Sequence, residues 1–150
     1  MKEKNILEKI KNSIRYINKK IKINPKVAII CGSGLSNIKN IIKQKYNIPY
    51  SEIPNFKQST VEGHNGQLIF GKLNSTDVVL MSGRLHYYEG YTMQDITYPV
   101  RVMKFLGVDS LIITCAVGAI NKKYNVGDIV VIKDHINFMC NNPLIGKHYN

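Results

Sequence analysis

No apolar run in this sequence approaches the ~20 residues that a bilayer-crossing helix needs, and the N-terminus has no apolar core of the secretory kind. A soluble, cytoplasmic protein without a membrane partner is therefore expected. The three cysteines, Cys31, Cys115 and Cys140, show no CxxC spacing, and an odd number cannot all pair within one chain. Reduced thiols follow, with Cys31 and Cys115 expected as small packing residues where buried strands end. The four histidines form no HExxH or His/Cys spacing and the carboxylates no cluster, which speaks against a metal centre. Internal repeats and linkers are missing too, so one continuous α/β domain is expected over residues 1–150, long enough for a real core.

Acidic residues are scarce. Ten of them face 21 basic residues, for a formal charge of +11. Such a surface attracts nucleic acid, anionic membranes or phosphorylated small molecules. Much of the excess lies in the first 26 residues and in scattered lysines, not in a block interleaved with stacking aromatics. A solvated basic surface is the plainer reading. The alternative is a basic α/β module that binds a nucleotide or nucleic acid without catalysis, and it predicts binding that falls steeply with salt.

What is present begins with an amphipathic helix. Within residues 1–25, Ile6, Leu7, Ile10, Ile14, Ile17 and Ile21 recur at helical spacing from Lys2 to about Lys20, with lysines between them, and Pro25 ends the segment. Packing of this face onto the domain is favoured over a membrane surface. Val27 to Cys31 reads as a strand covered on both faces, running into Gly32-Ser33-Gly34-Leu35-Ser36 and then a helix over Asn37 to Ile42. Strand, glycine-serine turn and helix together suit an anion, although many such turns use glycine for tightness alone. Residues 51–66 read as a loop that presents His64 between Gly63 and Gly66.

Gln67 to Phe70 and Val78 to Met81 flank a turn and suit an antiparallel pair. The second of these strands delivers Gly83-Arg84-Leu85-His86-Tyr87-Tyr88-Glu89-Gly90-Tyr91, too polar for packing. An arginine grips phosphate or carboxylate through parallel hydrogen bonds, and a nearby imidazole adds a donor, so an anion and a polyhydroxylated group are the expected ligands. One of Tyr87 and Tyr88 should face that ligand with His86. Thr92 caps a helix that runs to Gly107, with Pro99 bending it or marking a late start. Leu111 to Ile113 and Ile129 to Ile132 read as further buried strands, the first running into Thr114 to Ala119. Three apolar strands ending in small or polar segments predict one shared pocket at their carboxyl ends. No strong general base is evident, which favours catalysis by positioning and by electrostatic stabilisation of a cationic transition state.

The segments VAIICGSGLS, VEGHNG, GRLHYYEGY, YPVRVMKFLGVD and VGDIVVIKDHINFM, in this order and spacing, resemble the trimeric purine nucleoside phosphorylases from about Ile23 to Gly146. The resemblance implies a mixed central β-sheet flanked by helices, incomplete at the C-terminus of these residues. It implies reversible phosphorolysis of purine nucleosides without a cofactor, phosphate being a co-substrate, in a homotrimer that binds no nucleic acid. Carried over by position, Ser33, His64, Arg84, His86 and the Ala116 amide would bind phosphate, Tyr88 would contact ribose, and His86 with Glu89 would form the catalytic support. The purine-recognising residues of the family fall outside these 150 positions. Where the family has an Asn-Ala-Ala-Gly-Gly type segment, this sequence has Cys115-Ala116-Val117-Gly118-Ala119, which implies an altered pocket floor. An exposed sheet edge and an uncovered apolar face are further expectations, and so is little activity from these residues alone.

Overall fold

The computed structural model describes residues 6–32, 35, 37–58 and 66–146. Helix α1 covers Ile6–Lys20, strand β1 Val27–Ile30, the short helix α2 Ile38–Ile41, strand β2 Lys43–Pro49, β3 Gln67–Leu73, β4 Thr76–Ser82, helix α3 Met93–Phe105 and β5 Ser110–Ile113. The strands form one mixed sheet in the order β2-β3-β4-β1-β5. Strands β2, β3 and β4 pair antiparallel, while β1 lies parallel between β4 and β5. The carboxyl ends of β4, β1 and β5 therefore reach the same edge of the sheet, as their small and polar continuations led us to expect.

Alternation along the strands splits the core between the two faces. Ala28 and Ile30 join Leu68, Phe70, Val79 and Met81 on the face that carries α1 and α3, while Ile29, Ile69, Val78 and Leu80 pack with Ile42 on the other. On α1, Ile10, Ile17 and Ile21 are buried, each hiding a side chain worth ~1.5–3 kcal/mol of apolar transfer. This occupies the apolar face of the basic helix within the fold. Among the described residues no helix is long and apolar enough to cross a membrane. A short relay joins α1 to α3: the Tyr98 hydroxyl donates to Ser13 Oγ at 2.7 Å, and Ser13 in turn donates to the Pro54 carbonyl.

Four expectations need correction. Leu111 to Ile113 do form strand β5, but it is exposed along its length, because it is the edge strand of the sheet. Ile129 to Ile132 form no strand; from Thr114 to Gly146 the chain has no helix or strand and is nearly all exposed. The physical reason is the lack of a partner, since β5 is the last strand of the sheet and Ile129 and Val131 lie 96% and 89% exposed. An apolar run becomes a strand only where a neighbour satisfies its backbone. Of the two readings of Pro99, the late start fails: α3 starts at Met93 behind the Thr92 cap, with Thr92 Oγ1 accepting from the Asp95 amide at 3.1 Å, and carries Pro99 within it. Cys115 is exposed and does not pack, unlike Cys31, whose thiol burial pushes upward in pKa. Strand β2 was not anticipated, although Tyr46 and Ile48 alternate along it and Tyr50 continues their spacing just past its end.

Candidate functional site

The site begins where β4 ends. Gly83 has φ +87°, a conformation that a side chain resists, and it turns the chain out of the sheet. Leu85 is buried as an anchor, so Arg84 and His86 on either side of it share the opposite direction. Arg84 Nε lies 3.3 Å from His86 Nε2. A turn of 3-10 helix, Tyr87–Glu89, brings Glu89 back under His86, where one carboxylate oxygen, Oε1, accepts from both the His86 backbone N–H and the ring Nδ1, each at 2.8 Å. The Glu89 side chain is only 2% exposed, and a carboxylate so buried needs donors such as these.

These contacts fix the imidazole. A carboxylate can only accept, so Nδ1 carries the proton and Nε2 accepts from the Arg84 Nε–H. The Tyr88 ring stacks on the imidazole at 4.8 Å between centroids, 15° from parallel, and is itself 77% exposed. Of the two adjacent tyrosines it is therefore Tyr88 that accompanies His86. Arg84, His86, Tyr88 and Glu89 are thus brought together by one turn. Ser33 and His64 lie outside the described residues.

Ala116 is exposed and follows β5. Just before it, Thr114 ties the ends of β1 and β5 together. Its Oγ1 accepts from the Gly32 N–H at 3.0 Å, and its own N–H donates to the Ile30 carbonyl at 3.0 Å. A Cβ on Gly32 would stand 2.5 Å from the Thr114 carbonyl oxygen, so only glycine allows the two ends to approach this closely. Gly32 and Thr114 consequently leave the sheet side by side. Two supporting residues escaped the sequence reading. Thr114 passed as one more small residue after a strand, and Tyr50, whose hydroxyl donates to the Gly83 carbonyl at 2.8 Å, was hidden in the unanticipated β2 register. Among the described residues no group of His, Cys, Asp or Glu is arranged to hold a metal ion.

This arrangement can bind an oxyanion: one guanidinium, one imidazole oriented by a buried carboxylate, and glycine-rich strand ends beside them. The profile of the phosphorylase superfamily matches residues 26–150. Purine nucleoside phosphorylase 1 of Geobacillus stearothermophilus is 50% identical over 139 residues, which cover 93% of this chain and 51% of that protein. The purine nucleoside phosphorylase of Bos taurus is 51% identical over 127 residues, covering 83% and 44%. Isoform 2 of the Schistosoma mansoni enzyme, in complex with cytosine and ribose-1-phosphate, superposes with a TM-score of 0.87 at 46% identity, over 94% of this chain and 50% of that one. The chain spans about half the length of the curated relatives it matches.

Proposed function

The chain belongs to the phosphorylase superfamily, and from that membership we propose that its residues form the phosphate- and ribose-binding half of a purine nucleoside phosphorylase. The reaction joins a purine ribonucleoside or deoxyribonucleoside to phosphate. The glycosidic bond breaks with its electron pair leaving on the purine, which takes up a proton, and a phosphate oxygen forms the new bond to the sugar carbon. The products are free purine and sugar 1-phosphate. In the complete pocket Arg84, His86, Ser33, His64 and the Ala116 amide hold the phosphate beneath the sugar, and Tyr88 lies against the ribose.

The observation that carries this reading is the His86 arrangement. Nδ1 donates to the buried Glu89 carboxylate and Nε2 faces Arg84. With Nδ1 engaged by Glu89, Nε2 is the ring nitrogen left to meet a phosphate oxygen beside Arg84. Arg84 and His86 then hold a phosphate whose negative charge offsets the cationic sugar centre as the purine departs. No protein nucleophile and no cofactor is needed. The purine-recognising residues that the family likeness implies lie outside positions 1–150, so these residues alone bind phosphate weakly and do not turn over inosine. The full-length assembly is a cytoplasmic homotrimer in this reading.

Two measurements test it. Titrating the purified chain with inorganic phosphate should perturb the Arg84 and His86 signals in an NMR spectrum, and an inosine phosphorolysis assay on the same material should give no turnover. Silence at both residues, or measurable turnover, overturns the corresponding part. The formal charge of +11 supports the competing view of a nucleic-acid module. Binding to DNA or RNA that weakens steeply with salt, with no response to phosphate, would establish that view instead.

A further inference from the structure

Tyr50 belongs to neither the Arg84–His86–Glu89 set nor the ends of β1 and β5, yet it bonds the backbone of Gly66 and Gly83, the residues just beyond β3 and β4. We propose that Tyr50 is a positioning residue that sets the separation of β3 and β4 at the mouth of the anion site, with Gly66 as the saddle its ring crosses.

The registers define the place. The β3–β4 ladder runs from Leu73↔Thr76 to Gln67↔Ser82, so Gly66 and Gly83 would form its next row. That row is not part of the ladder. The β2–β3 pairing, in contrast, continues one row past Pro49↔Gln67, because the Tyr50 N–H donates to the Gly66 carbonyl at 2.9 Å. From this outer strand the Tyr50 side chain reaches over the central one and its hydroxyl donates to the Gly83 carbonyl at 2.8 Å. Ordinarily a side chain on the central strand would block that path. A Cβ on Gly66 would stand 2.2 Å from the Tyr50 ring carbons Cδ2 and Cε2, so the crossing requires glycine.

The ring cannot swing away. It is 2% exposed and packs against Phe56 at 5.4 Å, which meets Tyr98 edge-on at 5.6 Å. One rigid tyrosine therefore takes the place of a cross-strand backbone rung: it holds Gly66 through its amide and Gly83 through its hydroxyl, a ring's length apart. Gly83 is the residue whose positive φ launches Arg84 and His86, and Gly66 follows His64 by two positions in the sequence. Burial raises the Tyr50 phenol in pKa, so the hydroxyl remains a donor under ordinary conditions. The role in ligand binding rests on the phosphate reading above.

The test compares Tyr50→Phe with Tyr98→Phe, which removes a hydroxyl from the same aromatic cluster. Each chain is titrated with inorganic phosphate, its denaturation midpoint is measured, and the ring ¹⁵N signals of His86 are recorded without phosphate. Tyr50→Phe should weaken phosphate binding about 3- to 10-fold, the worth of one hydrogen bond, and move the His86 ring signals. Tyr98→Phe should lower the midpoint but leave both readouts as in the wild type. Wild-type affinity and unmoved His86 signals in Tyr50→Phe, or the same losses in Tyr98→Phe, overturn the positioning role. Should the wild-type chain itself ignore phosphate, the phosphate reading fails, and the His86 signals alone decide the role of Tyr50.

Discussion

His86 Nδ1 and Glu89 Oε1 lie 2.8 Å apart, and the same oxygen also accepts from the His86 backbone. The carboxylate thus fixes both the ring and the residue that bears it. Glu89→Ala should release the imidazole and leave its Nδ1 proton without a charged acceptor. Phosphate affinity is expected to fall ~10-fold, in line with the loss of a charge-assisted hydrogen bond. Titration calorimetry with inorganic phosphate checks this, and an unchanged affinity would remove Glu89 from the site.

Two glycines offer opposite expectations. At Gly32 an added Cβ would meet the Thr114 carbonyl at 2.5 Å and the Cys115 Cα at 2.9 Å, both backbone atoms that cannot step aside. At Gly118 an added Cβ meets nothing within 4 Å. Gly32→Ala should therefore cost ~1–3 kcal/mol of unfolding free energy, the range for overpacking, while Gly118→Ala changes little. Urea denaturation of the two variants distinguishes them, and equal midpoints would contradict the close approach of β1 and β5.

Alkali should unfold the chain through its buried phenols. Burial raises the pKa of both Tyr50 and Tyr98. A group raised in the folded state contributes stability that is complete below its unfolded pKa, about 10 for tyrosine, and is lost as pH climbs toward the folded value. Stability should thus decline from about pH 10 upward, and Tyr50→Phe should make that decline shallower. Denaturation midpoints collected across this alkaline range check the sign; an equal slope in the variant would count against it.

How much of this was legible beforehand varied from segment to segment. The sheet's inner strands declared themselves because β1 and β4 are apolar on both faces, and α1 did so because Ile10, Ile17 and Ile21 keep helical spacing. Arg84, His86 and Glu89 stood out because the segment that follows a buried strand has no packing use for so many polar groups, and the structure brings the three together. Strand β2 was not, since Lys43, Gln44 and Lys45 mask the alternation of Tyr46 and Ile48. The role of Tyr50 depends on a register across three strands, which local pattern does not encode. Ile129 to Ile132 erred the other way: strand composition is a preference that a neighbouring strand must complete.

That segment yields its own expectation. Ile129 and Val131 contact solvent almost fully, so Ile129→Lys and Val131→Lys should leave the unfolding free energy within ~0.5 kcal/mol of the wild type. They should also reduce binding of a dye such as ANS, which senses exposed apolar surface. A marked loss of stability would mean that the segment packs after all.

The order of the strands in the sheet carries a kinetic consequence. Strands β3 and β4 are joined by the two-residue turn Asn74–Ser75, with Asn74 at φ +54°, and β2 adds to them as another antiparallel neighbour. Strand β1, although first in sequence, pairs Val27 with Val78 on one side and with Ser110 on the other. The β3–β4 hairpin needs only a two-residue loop to close, whereas seating β1 needs closures across much of the chain. The slow step of folding should therefore be the insertion of β1, and Ala28→Gly should retard refolding far more than a substitution in the Asn74–Ser75 turn. Since Gly32 and Thr114 meet only once β1 is seated, the anion site is among the last parts of the molecule to take shape.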